Sequence, residues 1–383
     1  TATDKRWRTR TDLPNKIAVV ARRFSPDTRT WSEGYLISGP VRDVGDGDPA
    51  LVYYRKNQTV FALWTGDKGF FGAGIANASH PQHIYFSRSY DNGITWEDKH
   101  DITHFLFSHL CENCDERRRE WRCAFVSSGA GLQTREGRLT FALLTKDETN
   151  SVRNYLIYSD DYGETWNAYN SYPVTNANEA KLVELNNKSL LLSIRQRGQR
   201  KFAITNTLGA SWDWAGPMPD VVDSDCNGEI KRYTSVIDGY ERNRLIHSLT
   251  YNAGARKNVS LMVSYDEGNT WPYKRVLEPL SSAYSTFDFD KDGNILVYYE
   301  KEGPQGFNIV LANVTLEWLT RGNDTYSKPN HLNWCLYEGN EASTVCPADS
   351  YAMSFKAFDQ YVESYVLYPR HITYTFTENF RDF

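Results

Sequence analysis

Four charged side chains and one tyrosine fall at spacings that could assemble a reaction centre. Glu179 opens the strand-forming run NEAKLVELNNKSLLLSIRQ, and Arg195 stands 16 residues later near its end. Arg256 precedes another apolar run, Tyr284 follows 28 residues later in AYSTF, and Glu300 lies 16 residues beyond that in Tyr-Tyr-Glu. Asp12, in a polar segment, and Asp48, in Gly-Asp-Pro, add two further carboxylates. A guanidinium fork binds a carboxylate bidentately and keeps its charge at any working pH. A tyrosine becomes a nucleophile when a neighbouring carboxylate can take its proton. Taken singly, each residue has a plainer use. An arginine on a strand is usually solvated or salt-bridged, and an inward tyrosine is usually core with its hydroxyl satisfied. A glutamate on an edge strand or an aspartate in a loop is usually just a surface charge.

The elements that would have to hold these residues are short strands. Runs such as TVFALWTG (59–66), RLTFALLT (138–145), RLIHSLTYN (244–252) and NILVYYEKE (294–302) are β-branched and aromatic, bounded by Asn, Asp and Gly. Between them a motif recurs: SYDNGITW at 89–96, SDDYGETW at 159–166 and SYDEGNTW at 264–271, with a weaker TNTLGASW at 205–212 and a degraded FSPDTRTW ending at Trp31. In such a turn the aspartate can accept bonds from amides while the glycine takes a positive φ. Asp91, Asp161 and Asp266 are therefore scaffold residues. The five tryptophans are 46 to 70 residues apart, about one four-stranded propeller blade each. The repeats imply an all-β propeller over residues 1–320. Residues 321–383 lose the repeat and read as closing strands with a C-terminal extension.

Composition agrees with a β-rich chain: 25 Tyr, 18 Phe and 11 Trp, with 25 Gly and 14 Pro to punctuate turns. A net charge of −5 argues against nucleic acid as a partner, so an anionic ligand would need a local arginine cluster. No apolar run is long enough to span a membrane, and TATDKRWRTRTD lacks the apolar core of a signal peptide. Starting at Thr1, the chain reads as processed or trimmed. Six cysteines (111, 114, 123, 226, 335, 346) permit disulfides, with Cys335 and Cys346 the simplest pair to imagine. Cys111, Cys114 and Cys123 near His109 have only a faint resemblance to a zinc site, since no second ligand pair follows at finger spacing. Six N-x-S/T sequons fit a secreted or cell-surface glycoprotein.

The stretches between the turns resemble the bacterial and animal exo-sialidases (neuraminidases). They are DLPNKIAVVARRF (12–24), GDPALVYY (47–54), SSGAGLQ (127–133), NEAKLVELNNKSLLLSIRQRGQRKFAIT (178–205), DCNGEI (225–230), RKNVSLMVSYDEGNTW (256–271), AYSTF (283–287) and LVYYEKEG (296–303), in the family's order over nearly all of 1–320. The resemblance implies a six-bladed propeller and an exo-α-sialidase that needs no metal or other cofactor. It makes Tyr284 the nucleophile, Glu179 its proton acceptor and Asp12 the acid and base. Arg195 and Arg256 would grip the sugar carboxylate, Asp48 would line the sugar pocket, and Glu300 would hold an arginine in place. The implied partners are sialylated glycans. Sialic acid carries its carboxylate on the anomeric carbon, so a neutral tyrosine avoids the repulsion that a carboxylate nucleophile would meet. The family's opening Tyr/Phe-Arg-Ile-Pro strand, which completes its arginine triad, would fall upstream of Thr1. Arg6, Arg8 and Arg10 stand too close to Asp12 to replace it, and Arg370 is out of order.

Two rivals fit part of this pattern. A trans-sialidase shares the intermediate and passes it to a glycan, with Trp64, Trp212 and Trp214 as potential platforms for the acceptor. A non-catalytic propeller that binds glycan or protein explains the turns but does not require Glu179, Arg195, Arg256 and Tyr284 together.

Overall fold

The computed structural model describes residues 13, 16–25, 28–39, 45–67, 70, 82–106, 121–304 and 306–329, and the backbone of strands Trp334–Tyr337, Tyr351–Ser354 and Tyr374–Glu378. The expected site residue Asp12 lies outside them, as do Arg6, Arg8, Arg10, Arg370, Cys111, Cys114 and Cys346. No helix among the described residues is long and apolar enough to cross a membrane.

The strand Leu139–Asp147 shows how the sequence makes this architecture. It is buried along its whole length. Leu139, Phe141 and Leu143 enter one hydrophobic cluster with Phe61 and Trp166, whereas Ala142 packs in a second with Leu190 and Leu192, and Leu144 in a third with Phe125. Side chains of a strand alternate between its two faces, so burial of both faces requires a neighbouring sheet on each side. The hairpin strand Leu190–Ile194 repeats this, with Leu191 packed beside Leu245 and Met262. Stacked sheets, each covered by the next, are a propeller arrangement, and four blades are distinct in it.

Most neighbours within the sheets are antiparallel and consecutive in sequence. One four-stranded sheet runs Ala180–Glu184, Leu190–Ile194, Arg197–Thr205 and Trp214–Ser224. A six-stranded sheet follows, continuous because the 17-residue strand Tyr273–Phe289 pairs first with Lys257–Ser264 and then with Ile295–Gly303. At the other end of the chain, Tyr374–Glu378 pairs antiparallel with Ala18–Arg22. Beyond residue 320 the chain stays tied to the sheets: fully buried Arg244 makes a two-pronged ion pair with Asp324, both bonds 2.7 Å.

The recurring turns are built alike. Asp91 accepts from the amides of Ile94 and Thr95 and from the Thr95 hydroxyl, while Ser89 accepts from the Gly93 amide. Asp161 and Asp266 repeat the Thr amide and hydroxyl bonds. In the weak copy Thr207 stands in for the aspartate, accepting the Ser211 amide at 2.8 Å. Gly93, Gly163 and Gly268 have φ of 77°, 84° and 91°, which explains the glycine. Trp96, Trp166 and Trp271 are buried behind their turns.

Candidate active site

Glu179 and Arg195 are brought together by a hairpin. Ala180 pairs with Ile194 across the strands, and the Arg195 amide donates to the Glu179 carbonyl at 2.8 Å. The 16-residue spacing is thus two five-residue strands and their turn, with both charged side chains at the same end. Arg195 Nη1 donates to Glu179 Oε2 at 2.5 Å and to Tyr284 Oη at 3.0 Å. Tyr284 Oη in turn donates to Glu179 Oε2 at 2.7 Å. Tyrosine, glutamate and arginine therefore close a triangle of short contacts.

Tyr284 reaches this position through a break in its strand. Ser282 pairs with Lys301 and Ser285 with Tyr299, so Ala283 and Tyr284 form an irregularity opposite Glu300. A bulge re-aims a side chain and leaves its amide without a ladder partner. Here the Tyr284 amide donates to the Glu300 carboxylate at 3.1 Å. Asp48 sits at a second break, between Gly47 and Ala50, with φ 56°, and Ser128 Oγ donates to it at 3.4 Å.

Arg256 stands just before the strand Lys257–Ser264. It is exposed, its guanidinium lies 5.6 Å from the Tyr284 ring centre, and Nη2 donates to the Asp225 carbonyl at 3.2 Å. Asp225 also accepts from Arg195 Nε at 2.8 Å. One residue therefore holds both arginines, one by its carboxylate and one by its backbone. Its backbone is in the left-handed region, φ 65°, a conformation that Asp tolerates better than most residues. A buried ion pair pins the next residue: Asp223 accepts the Cys226 amide and Arg200 Nη1, and Arg200 Nη1 also donates to the Cys226 carbonyl.

The electrostatics follow from burial. Loss of water pushes the Tyr284 hydroxyl well above its usual pKa, and the charge of Glu179 adds to this, while Arg195 pulls the other way. Burial works against the charge of Arg195, but Glu179, Tyr284 and Asp225 hold it firmly protonated. The neighbouring Cys226 is a free, buried thiol pushed up to about 12, chiefly by burial.

The matching family model is described as a BNR repeat-like domain and covers residues 8–297. Curated relatives include a sialidase of Micromonospora viridifaciens, 30% identical over 80% of this chain, and one of Paraclostridium sordellii, 26% identical over 80%. The chain belongs to the sialidase family. It spans 48% of the length of the Micromonospora sialidase and 78% of the Paraclostridium one. Among solved structures, the Hadza microbial sialidase Hz136 superposes with a TM-score of 0.71 at 22% identity, covering 80% of this chain and 61% of its own. The intramolecular trans-sialidase of Ruminococcus gnavus gives 0.65 at 15%, covering 81% and 90%. At these identities the superpositions speak for the fold.

Within this sialidase fold, Glu179, Arg195, Arg256, Tyr284 and Glu300 share one locality. A chain of bonds runs from Asp48 to Lys181, two residues from Glu179: Ser128 to Asp48, Asn227 Nδ2 to the Ser128 carbonyl, and Lys181 Nζ to Asn227 Oδ1 at 3.0 Å. The sequence reading missed Lys181 and Asp225. Lys181 is two residues from Glu179 on the same strand face, fully buried, and its pKa is lowered by burial against the pull of Glu229, Glu179 and Asp48. A lysine followed by apolar Leu182 and Val183 in a wholly buried strand was the available signal. Asp225 stands in the quoted DCNGEI stretch, where nothing local distinguishes it from a turn residue.

One expected rim residue is misplaced. Trp64 is fully buried, because it lies on the inner strand Thr59–Asp67 and packs with Val19, Ala62 and Trp96. It cannot serve as an acceptor platform. Trp212 is partly buried, and Trp214 is exposed.

Proposed function

We propose that this chain is an exo-α-sialidase that releases terminal sialic acid from glycans with retention, through a tyrosyl-enzyme intermediate. The observation that carries this reading is the Tyr284–Glu179 bond of 2.7 Å with Arg195 on both oxygens. Arg195 and Arg256 grip the sugar carboxylate. Glu179 takes the Tyr284 proton as the phenolic oxygen attacks the anomeric carbon, and the glycosidic oxygen leaves with a proton from the acid. Water then attacks the tyrosyl adduct, giving its proton to the same group and returning Tyr284 to its protonated state. Asp12 is assigned as that acid and base from its motif.

The sheets support six blades. The sheet of Tyr374–Glu378, Ala18–Arg22 and Tyr35–Ser38 counts one, the sheets around Thr59–Asp67, Leu139–Asp147 and Leu190–Ile194 count three, and the six-stranded sheet, divided along its 17-residue strand, counts two. A propeller that only binds glycans would need the aspartate turns but no carboxylate placed to deprotonate a tyrosine.

A fluorogenic aryl sialoside tests the activity, and NMR of the first-formed sugar tests retention. A 3-fluoro sialosyl fluoride should leave a covalent mass on the peptide containing Tyr284. An inverted first product, or turnover undiminished in Tyr284→Phe, would overturn the mechanism.

A further inference from the structure

Arg195 also lines a cleft of about 260 Å³, and the mechanism gives most of the other lining residues no task. Asp225 lines it too, and the rest of the polar lining comes from Asn176, Asn178, Gln196 and Arg197. Asp225 is matched by Arg195 Nε, so its charge is spent within the lining. Arg197 is different. It is exposed, and among the described residues its side chain makes a single long bond of 3.4 Å, to the Gly254 carbonyl, and pairs with no carboxylate. Asn178 Oδ1 already accepts the Glu179 amide, which leaves its NH2 group as a donor. The cleft thus offers one uncompensated positive charge and amide donors, in a chain whose overall charge of −5 repels anions.

The substrate's geometry says what should lie there. The anomeric carbon bears both the carboxylate held by Arg195 and the glycosidic oxygen, so the leaving sugar starts only three bonds from the carboxyl carbon. We propose that this cleft is a leaving-sugar subsite selective for a sugar that carries an anionic group of its own, a carboxylate or a sulfate, paired with Arg197. The proposal rests on the reading of Arg195 as the carboxylate fork. The enzyme would then prefer disialyl or sulfated sialyl glycans to neutral ones.

The test compares kcat/KM of wild type, Arg197→Ala and Arg197→Lys on four substrates: an aryl sialoside, 3′-sialyllactose, its 6-sulfated form and α2,8-disialyllactose. Arg197→Ala should lower kcat/KM on one or both anionic glycans by about tenfold, the value of one charge-assisted contact, and on the neutral two by less than twofold. Arg197→Lys should recover part of the loss, and salt should erode the preference. Which glycan suffers tells carboxylate from sulfate. Equal losses on all four substrates, or none, would overturn the subsite. Should the wild type cleave nothing, the sialidase reading fails. Calorimetric titration of disialyllactose against 3′-sialyllactose then decides the cleft by itself. Tighter disialyl binding that disappears in Arg197→Ala supports it, and equal binding sinks it.

Discussion

A tyrosine hydroxyl withdrawn from water and facing a carboxylate stays protonated at neutral pH, since both effects disfavour the phenolate. Its reactivity then depends on where the proton can go as the bond forms. In the proposed mechanism the acceptor for Tyr284 is Glu179, 2.7 Å away. Glu179→Gln keeps the shape and a hydrogen-bonding oxygen but cannot take the proton, so kcat should fall by about 10²–10⁴ with KM little changed. Tyr284→Phe removes the proposed nucleophile and should cost at least as much. Steady-state kinetics on an aryl sialoside checks both, and a Glu179→Gln enzyme at wild-type kcat would refute the role. Asp225 makes a different demand. Asp225→Asn keeps a polar side chain and the left-handed backbone but removes the charge on Arg195 Nε, while the carbonyl can still hold Arg256. A loosened carboxylate fork weakens binding, so kcat/KM should drop about tenfold, mostly through KM. A change confined to kcat would show that Asp225 does not act through the arginines.

At the scale of elements, the same turn motif was readable from the chain and is what the molecule builds. Asp, Gly and Trp each have one physical use there, and all three are local, so the sequence displays them in a window of eight residues. The candidate site was legible for a weaker reason. Tyr284 and Glu179 are 105 residues apart, and no local rule joins them; their order alone suggested a site. Asp225 and Lys181 were missed because their roles exist only when strands of different hairpins meet. Trp64 was misread because alternation tells a strand's two faces apart but not that both are buried. The aspartate turns also set a pH response. Burial would raise the carboxyl groups of Asp91, Asp161 and Asp266, but bonds from the neighbouring Thr and Ser outweigh it, and all three are held below the usual carboxylate value. A depressed folded pKa stabilises above the unfolded value, near 3.9, and that stability is lost as pH falls through the folded value. Thermal midpoints should thus be flat from neutral pH down to about 5 and fall steeply below 4. Asp266→Asn should lower the midpoint at pH 7 and narrow the gap to pH 3, whereas a gap as wide as wild type's would show that these turns do not carry the acid sensitivity.

For the whole molecule, the question is how a ring of sheets avoids free edges. Sheets that stack in a circle cover one another's faces, but the first and last strands of the chain still have to meet. An unpaired strand exposes a row of amides and carbonyls, which is a template for another copy. Here Ala18–Arg22 pairs with Ser38 to Tyr35 on one side and with Tyr374–Glu378 on the other, five residue pairs in register from Ala18 opposite Glu378 to Arg22 opposite Tyr374. Among the described strands the last therefore completes the sheet that the first begins, and Val19, with Val60 and Trp64 behind it, is packed on the face of that sheet. Ending the chain after residue 373 would leave one edge of Ala18–Arg22 bare while touching none of Glu179, Arg195 or Tyr284. The truncated protein should melt several degrees lower, in line with a loss of about 2–4 kcal/mol for a chain of this size. It should also shift toward dimers or larger species on size exclusion, since the bare edge seeks a partner. Its kcat/KM per folded molecule, measured well below the melting temperature, should stay within about twofold of the full chain. A truncated protein that melts and elutes like the full chain would mean that the ring closes without this strand.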